Sequence, residues 1–474
     1  MSKVFRTLSK MDKDYIKAVS ILNSMQTFIR LPESGYQQSQ EIGHLMGHWW
    51  KRLGYSVEDL NRLNAVHIAG TKGKGSTCAI TESVLRQCGL KTGLFTSPHL
   101  REVRERFRIN GMALPHSKFV TYFSSVYNRL KLATDNEPQP GYFHFLTLMA
   151  FDVFLNENVD VAVIEVGIGG EYDATNLLPR PVCCGVSALG LDHTSILGDT
   201  VDKIAWHKAG IFKKGVPAFT QPQKPEALQV LQQRANEIGC ELKVVEPLGF
   251  DENDENFHLN LSGDVQKANA GLALSLVEAW LRNAKCPSLN FKGDFCPTYA
   301  FNRGLAHCQW PGRFQLLDRA PFRYWIDGAH TKESIDLCVK WFFDQQKLNN
   351  PDSLPRVLLF STTGQRGFEK FLDQIYKQSL EMPFSMAIFS TTVPFLPAPP
   401  DMAYNENNHK EQFEKCKQMA EIYNKFGVDS IATSTVSDGI AAIQQKFNGG
   451  AHVLVTGSLH LVGAVLSTLN ESVN

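Results

Sequence analysis

The amino-acid sequence predicts an α/β protein of two domains, the first built on a parallel sheet around a phosphate-holding loop and the second smaller. Three observations carry that prediction. From residue 64 to about 240, short apolar runs alternate with helical patterns, the rhythm of a parallel sheet with helices on both faces. Residues 66–77, VHIAGTKGKGST, set a glycine-rich turn between such a run and a helix. The rhythm resumes after WPGR, in YWIDGAH, RVLLFST, SMAIFST and AHVLVTGS, beyond a less regular region from about 246 to 300. A domain boundary is therefore expected near residues 300–312.

Size and composition agree with this organisation. A chain of 474 residues is too long for one ordinary core. Apolar residues make up 43% and charged residues 20%, the balance of a soluble globular protein. Lys+Arg and Asp+Glu both number 48, and zero net charge argues against general binding of nucleic acid or an anionic membrane, which need a basic excess. No apolar run approaches the roughly 18 residues of a membrane span. The ten cysteines are scattered, include the adjacent Cys183 and Cys184, and form no CxxC pair. They read as reduced thiols in a reducing compartment, with no structural zinc.

Taken in order, the elements begin with MSKVFRTLSKM, whose Lys3, Arg6 and Lys10 hint at a transit peptide. It is short, and Asp12 and Asp14 follow at once, so it reads as a frayed arm; Met11 offers an alternative start. Tyr15, Val19, Leu22, Met25 and Ile29 share one helical face across residues 12–30. The next helical stretch, GHLMGHWW, sets His44 and His48 one turn apart. Without a Glu after the first His or a third ligand nearby, they read as ordinary helix residues. NAVHIAG is a strand, and residues 76–88 a helix with Ile80, Val84, Leu85 and Cys88 on one face and Gly89 placed to end it. TGLFTSP and DVAVIEVG are buried strands, and Asn110–Gly111 is the tip of a hairpin. DENDEN, at 251–256, reads as a solvated loop, and TTVPFLPAPPDMAYNENN as a long surface loop.

The opening loop carries the first chemistry. Between strand and helix, backbone N–H groups and the helix N-terminus can meet phosphate oxygens. Lys74 supplies a cation, while Gly73 and Gly75 permit close approach. The spacing departs from GxxxxGK[ST], because Gly75 follows the lysine; hydroxyl work falls to Ser76 or Thr77. Glu165 ends an apolar strand, where an acid suits Mg²⁺ on nucleotide phosphates. Ser97 and His99 follow a second strand, Asp192 and His193 a third. Open parallel sheets collect ligands at the carboxyl ends of their strands, so these groups are placed to converge on one metal. Singly, each has a structural reading, and a solvent-facing lysine is the ordinary reading of Lys208 in AWHKAGIFKKG. In the second domain Arg313 suits a phosphate, and Asp327 and His330 sit on a turn after a strand, available to ribose or phosphate. Together the two domains suggest a nucleotide held across a cleft.

The combination of GTKGKGST, TSPHL, VRERFRING, YFHFLTLMAF, IEVGIGGEYDATN, LDHTSILGDTVDKIAWHKAGIF, WPGRF, DGAHT and VTGSLHLVG, in order from residue 70 to 463, resembles the folylpolyglutamate synthases. These belong with the Mur enzymes of cell-wall synthesis to one family of ATP-dependent ligases. Lys72, where dihydrofolate synthases more often resemble GTNGKGS, favours the eukaryotic polyglutamating type. The resemblance implies a P-loop ATPase domain that also binds folate, residues 1–308, and a smaller C-terminal Rossmann-like domain, residues 309–474. It implies ATP and Mg²⁺ as cofactors, tetrahydrofolate and L-glutamate as substrates, and a monomer of the cytoplasm and mitochondria. Gly73, Lys74, Gly75 and Ser76 would hold phosphates, and Ser97, Glu165 and His193 would bind Mg²⁺. Arg313 and Asp327 would contact ATP, with Asn269 and His330 close by. Lys74, Lys208 and His330 would be catalytic, Lys208 as a carbamate. Phe143, Phe145 and Thr147 would lie on the folate side. One departure is STTGQRG in place of something nearer TGDRD; Gln365 and Gly367 replace acids, and no function is carried onto that loop.

Other readings fare less well. A GTPase switch should carry NKxD, and NKFG from Asn424 lacks the Asp. A small-molecule kinase needs no second domain reaching the nucleotide. Dihydrofolate synthase, joining glutamate to dihydropteroate, is the alternative within the enzyme reading.

Overall fold

The computed structural model describes residues 10–26, 35–131, 138–249, 259–284, 297–349, 354–362, 367–399, 401 and 406–471. The basic arm before Lys10, Ile29, DENDEN, Cys286, Cys296 and Gln365 lie outside them.

Helices α1 (Lys10–Ser24) and α2 (Gly35–Arg52) lead into a first α/β unit. Its order is β1 (Val66–Ala69), α3 (Lys74–Gln87), β2 (Thr92–Phe95), the hairpin β3 (Phe107–Ile109) and β4 (Met112–Ala113), α4 (His116–Lys131), α5 (Tyr142–Asn156) and β5 (Val161–Glu165). There follow β6 (Cys183–Val186), α6 (Thr194–Leu197), α7 (Val201–Ala209), β7 (Ala218–Thr220), α8 (Pro225–Ile238), β8 (Leu242–Val244), α9 (Asp264–Asn283) and α10 (Pro297–Ala306). The strands form one sheet in the order β4-β3-β2-β5-β1-β6-β7-β8. Only the β2–β3–β4 edge is antiparallel. Every residue of β1, β2, β5 and β6 is buried. Helices cover both faces, which is why these strands read as unbroken apolar runs. One face packs Val66, Ile68 and Val163 against Ile80, Leu276 and Trp280 of α3 and α9. The other packs Phe95 and Ile164 against Phe145, Leu148 and Phe151 of α5. Because β1 lies between β5 and β6, the loop after it leaves the middle of the sheet, where ligands collect.

The second unit runs β9 (Gln315–Arg319), β10 (Phe322–Ile326), α11 (Lys332–Asn349), β11 (Arg356–Phe360), α12 (Glu369–Gln378), β12 (Met386–Ser390), α13 (Glu406–Lys425), β13 (Ser430–Thr433), α14 (Val436–Lys446), β14 (Ala451–Thr456) and α15 (Leu459–Thr468). Its six strands lie in the order β13-β12-β11-β14-β10-β9, and only β9 is antiparallel. The units meet closely. A Cβ on Gly463 of α15 would stand 1.9 Å from the Leu100 carbonyl oxygen, and the Tyr15 hydroxyl and Val103 N–H both donate to Asp401 Oδ1, at 2.8 and 2.7 Å.

Two expectations change. The stretch from Thr391 to Asn408 is not one surface loop: α13 starts at Glu406, and Thr391–Val393 are buried. Polarity misled there, since the Thr391 hydroxyl donates to the Ser434 carbonyl at 2.6 Å and is satisfied inside. The first helix ends at Ser24, one residue before Met25. The expected hairpin tip is present, with φ of 50° at Asn110 and 78° at Gly111.

Candidate active site

The loop after β1 has almost no slack. Gly70 has φ 148°, and a Cβ there would stand 1.9 Å from Ser187 Oγ. The N–H groups of Thr71 and Lys72 both donate to the Ala188 carbonyl at 3.0 Å, which pins the turn to the loop after β6. Gly73 has φ 87°, and a Cβ there would meet Asn269 Oδ1 at 2.3 Å. Asn269 is in turn held by Gln221 Nε2 at 2.9 Å and Gln266 Oε1 at 2.8 Å. Helix α3 starts at Lys74, so its first-turn N–H groups open at this loop. Ser76 is buried, and the buried Thr77 hydroxyl has no hydrogen-bond partner.

Glu165, at the end of the neighbouring β5, is 4% exposed. Its Oε2 accepts the Ser97 N–H at 2.8 Å, and its Oε1 stands 4.0 Å from Lys74 Nζ. Burial raises the Glu165 pKa above the usual carboxylate value, against the pull of Lys74, the Ser97 N–H, Arg313 and Arg106. Lys208 is 4% exposed, which corrects the solvent-facing reading. Its ammonium donates to the Gly70 carbonyl at 2.7 Å, and burial, then Lys74, hold its pKa well below the ordinary lysine value. Helix α7 is drawn in by glycines: a Cβ on Gly170 would strike the His207 carbonyl at 2.7 Å. His193 is exposed, with φ 50°, at the start of α6.

The second unit closes on this loop from β10. Asp327 is buried, and its Oδ2 accepts the Phe314 N–H at 3.0 Å. Burial raises its pKa, opposed first by Arg313. Arg313 lies across the following turn, 2.6 Å from where a Cβ on Gly328 would stand. His330 Nδ1 faces the Gly328 carbonyl at 2.9 Å, which can only accept. In the neutral ring the proton therefore sits on Nδ1, and Nε2 is an acceptor 3.1 Å from Lys72 Nζ. Lys72 also pairs with Asp192 at 3.1 Å, so one lysine ties the two units together.

Thus Gly73, Lys74, Gly75, Ser76, Ser97, Glu165, Lys208 and Asn269 gather around one loop, faced by Arg313, Asp327 and His330, with His193 on the exposed turn beside Asp192. His99 turns instead to Arg106, whose Nε donates to His99 Nδ1 at 3.0 Å. Phe145 and Thr147 are core residues, 1% and 0% exposed, because α5 is apolar all round; Phe143 alone of the three is half-buried. Two features escaped the sequence reading. Trp310 backs the loop, 3.3 Å from where a Cβ on Gly75 would stand. An open pocket is lined by Leu261, Gly263, Phe314, Leu337 and Trp341, and its Phe314 follows Arg313 and donates its N–H to Asp327. Its available signal was the aromatic following Arg313 and the WFF run of α11.

Comparison with known proteins decides the family. No family model matches the chain. A mitochondrial folylpolyglutamate synthase of Cricetulus griseus is 38% identical, over 97% of this chain and 92% of that one. A probable folylpolyglutamate synthase of Schizosaccharomyces pombe is 39% identical over 97% and 95%. The chain belongs to the folylpolyglutamate synthases. It is an ATP-dependent ligase that adds glutamate to folates. Solved structures share the fold: the apo form of the L. casei enzyme superposes with a TM-score of 0.73 at 23% identity, covering 96% of this chain and 99% of that one. The Thermotoga maritima folylpolyglutamate synthase gives 0.68 at 26% identity, over 93% and 98%.

Proposed function

We propose that the cleft holds ATP between the two units and uses it to activate the γ-carboxylate of tetrahydrofolate for attack by L-glutamate. The observation that carries this reading is the buried Glu165 paired with the half-buried Lys74 beside a helix-opening glycine loop, faced by Arg313 and Asp327. The first-turn N–H groups of α3 and Lys74 bind the phosphates. Arg313 meets a phosphate and Asp327 the ribose, which leaves the base to the pocket walled by Phe314 and Trp341. Phe143 stands on the folate side.

The donor set suits Mg²⁺. Glu165, the Ser97 hydroxyl and His193 would hold it, and the orphaned Thr77 hydroxyl adds an oxygen at the same loop. Among the described residues no group of three His, Cys, Asp or Glu could enclose a metal, and Mg²⁺ is bound through few protein ligands, phosphates and water. When bound, it neutralises phosphate charge.

A carboxylate is a poor acyl donor, because its leaving group would be oxide. A γ-carboxylate oxygen attacks the γ-phosphorus, the bond to the β-phosphate oxygen breaks, and acyl phosphate and ADP form. The glutamate amine then attacks the carbonyl, phosphate leaves, and an amide results. Lys74 stabilises the charge on the transferring group through a position fixed beforehand. His330, with Nε2 as acceptor, takes the proton that the amine loses. We further propose that Lys208 carries a carbamate: its depressed pKa supplies the neutral amine, which joins CO₂ and releases a proton. A ¹³C-carbamate resonance in labelled bicarbonate, absent from Lys208→Arg, would support this; no resonance in the wild type would exclude it.

We assign residues 1–308 and 309–474 as the two domains of a monomer of the cytosol and mitochondria; the mammalian relatives named mitochondrial support the second compartment. The deciding assay measures ADP and product mass with ATP, Mg²⁺, L-glutamate and either tetrahydrofolate or dihydropteroate. Glutamate-dependent ADP release with tetrahydrofolate, and a product one glutamyl unit heavier, is expected. Turnover with dihydropteroate alone would move the assignment to dihydrofolate synthase.

A further inference from the structure

Trp310 backs the phosphate loop and has no task in the chemistry above. It begins the stretch WPGR that joins the two units, three residues before Arg313. The residues that follow are tied to the second unit: the Gly328 N–H donates to the Gly312 carbonyl at 3.1 Å, and the Phe314 N–H to Asp327 at 3.0 Å. The ring itself packs on the first unit, against the core that holds Ile80 and Val84. Its Nε1 and Cζ2 are both 3.3 Å from where a Cβ on Gly75 would stand, and Glu165 Oε2 is 3.6 Å from that same point. The Arg108 guanidinium lies over the ring, 5.6 Å from its centroid, and is itself held by the bond from Nη1 to the Gly111 carbonyl at 3.0 Å.

Two observations point from this ring to a ligand. The first is an unanswered donor. An indole N–H drawn into a protein ordinarily finds an acceptor, as those of Trp49, Trp50 and Trp280 do on carbonyls at 2.9, 2.8 and 2.6 Å. Trp310 is half-buried, and its N–H meets no acceptor among the described residues, yet it is not sealed from solvent. An indole nitrogen can only donate. Whatever answers it is therefore an oxygen acceptor and never a metal ion. The second observation is the glycine opposite. Gly75 lies in the first turn of α3 without a positive φ, so its backbone does not demand glycine. Glycine inside a helix is unfavourable. What excludes a side chain is the narrow space that Gly75 shares with Trp310 and Glu165. The same space accounts for the departure from GxxxxGK[ST], because a Ser or Thr at residue 75 would fill the gap beside the indole nitrogen.

Place decides which acceptor. Residue 75 stands between Lys74 and Ser76, at the helix end whose N–H groups open on the phosphate loop. We infer that the Trp310 indole N–H donates to an oxygen of the nucleotide's phosphate chain, across the space that Gly75 keeps clear. This rests on the reading of the cleft as an ATP site and adds to it an uncharged donor beside Lys74 and Arg313. Trp310 binds and orients the phosphate; it moves no proton.

The test uses the full chain labelled with ¹⁵N at tryptophan. The indole resonance missing from Trp310→Phe belongs to Trp310. The β,γ-methylene analogue of ATP with Mg²⁺ should move its proton downfield, the shift of a new hydrogen bond to an anionic oxygen. Tetrahydrofolate or L-glutamate alone should leave it in place. Trp310→Phe keeps an aromatic ring between Arg108 and the loop but loses the donor. Its kcat/KM for ATP should fall about ten-fold, the scale of one charge-assisted hydrogen bond, with KM for tetrahydrofolate within about two-fold. A resonance indifferent to the analogue, or one that answers tetrahydrofolate alone, would overturn the inference. So would a Trp310→Phe enzyme with wild-type kcat/KM for ATP beside an impaired Trp310→Leu, since the ring would then serve only as a wall. If Trp310→Phe does not fold, replacing Trp310 by benzothienylalanine keeps the bicyclic ring, puts sulfur in place of the N–H and must give the same two results. The analogue is not turned over, so the two readings fail separately. A wild-type protein whose resonance moves but which releases no glutamate-dependent ADP would lose the ligase reading and keep this contact.

Discussion

The two sheets place ligand groups at the same ends of their strands but hold them differently. Around the first sheet, the surroundings of Gly70 and Gly73 leave no room for a methyl group, and Glu165 and Lys208 are buried. Around the second, only Asp327 is fully buried; His330 and Arg313 rest half-buried on turns. On the proposed reading, the first unit is a preformed cradle for phosphate and metal, and the second completes it by approach. Phosphoryl transfer should depend on the first and nucleotide affinity on the second, with His330 entering only at the amide-forming step, and each variant below can break that division.

The largest effect is expected at the cradle. Lys74→Ala should lower kcat by about 10³-fold, the scale of losing a preorganised charge at the transferring group. Gly73→Ala should match it, since alanine at φ 87° is strained and its Cβ would strike Asn269. ADP release measures both, and a Lys74→Ala enzyme keeping a tenth of its turnover would remove this lysine from the mechanism.

Next comes Glu165→Gln, expected to lose about 10²-fold in Mg²⁺-dependent turnover. Its pKa is raised, so the carboxylate protonates earlier than usual as pH falls, and the acid limb of activity should lie above the ordinary carboxylate range. The linkage runs the other way for stability. In that window the folded state binds more protons than the unfolded, so this group stabilises the fold as pH falls. Activity and melting temperature should therefore move in opposite directions there in the wild type. In Glu165→Gln both dependences should vanish; a surviving acid limb would point to another carboxyl.

Asp327→Asn should act mainly on affinity, raising KM for ATP about ten-fold with kcat within about three-fold. An equal fall in kcat would mean that the second unit also takes part in phosphoryl transfer, and the division between the two sheets would fail.

The same division explains what the sequence could reveal. Strands buried on both faces, such as β1, β2 and β5, show as apolar runs, and the loop and acids at their ends show as glycines and charges that interrupt them. Edge strands show less: β9, QLLDR, carries exposed Leu316 and three polar residues of five, so no run marks it. Lys208 looked solvent-facing because lysine usually is. Its burial comes with the packing of α7 on Gly170, a contact that spans about 38 residues of sequence. The pocket beside Phe314 was hidden for the same reason, being assembled from α9, Phe314 and α11. Local signals reveal groups; their convergence depends on long-range packing.

The smallest expected effect lies on the contact between the units. Lys72 Nζ meets both Asp192 and His330, but its side chain is 34% exposed, and such a pair contributes about 0–1 kcal/mol once solvent screens it. Lys72→Ala should therefore leave the melting temperature within about 2 °C. Approach of the second unit would lose its tie to the loop, so KM for ATP should rise about three-fold, and less at high salt, where the wild-type contact is already weakened. Titrating ATP at two ionic strengths separates this from a lost phosphate contact. A phosphate contact would cost both more affinity and turnover, as at Lys74, whereas a tie between units costs only affinity. A Lys72→Ala enzyme that behaved like Lys74→Ala would move Lys72 into the cradle and leave His330 as the second unit's own contribution.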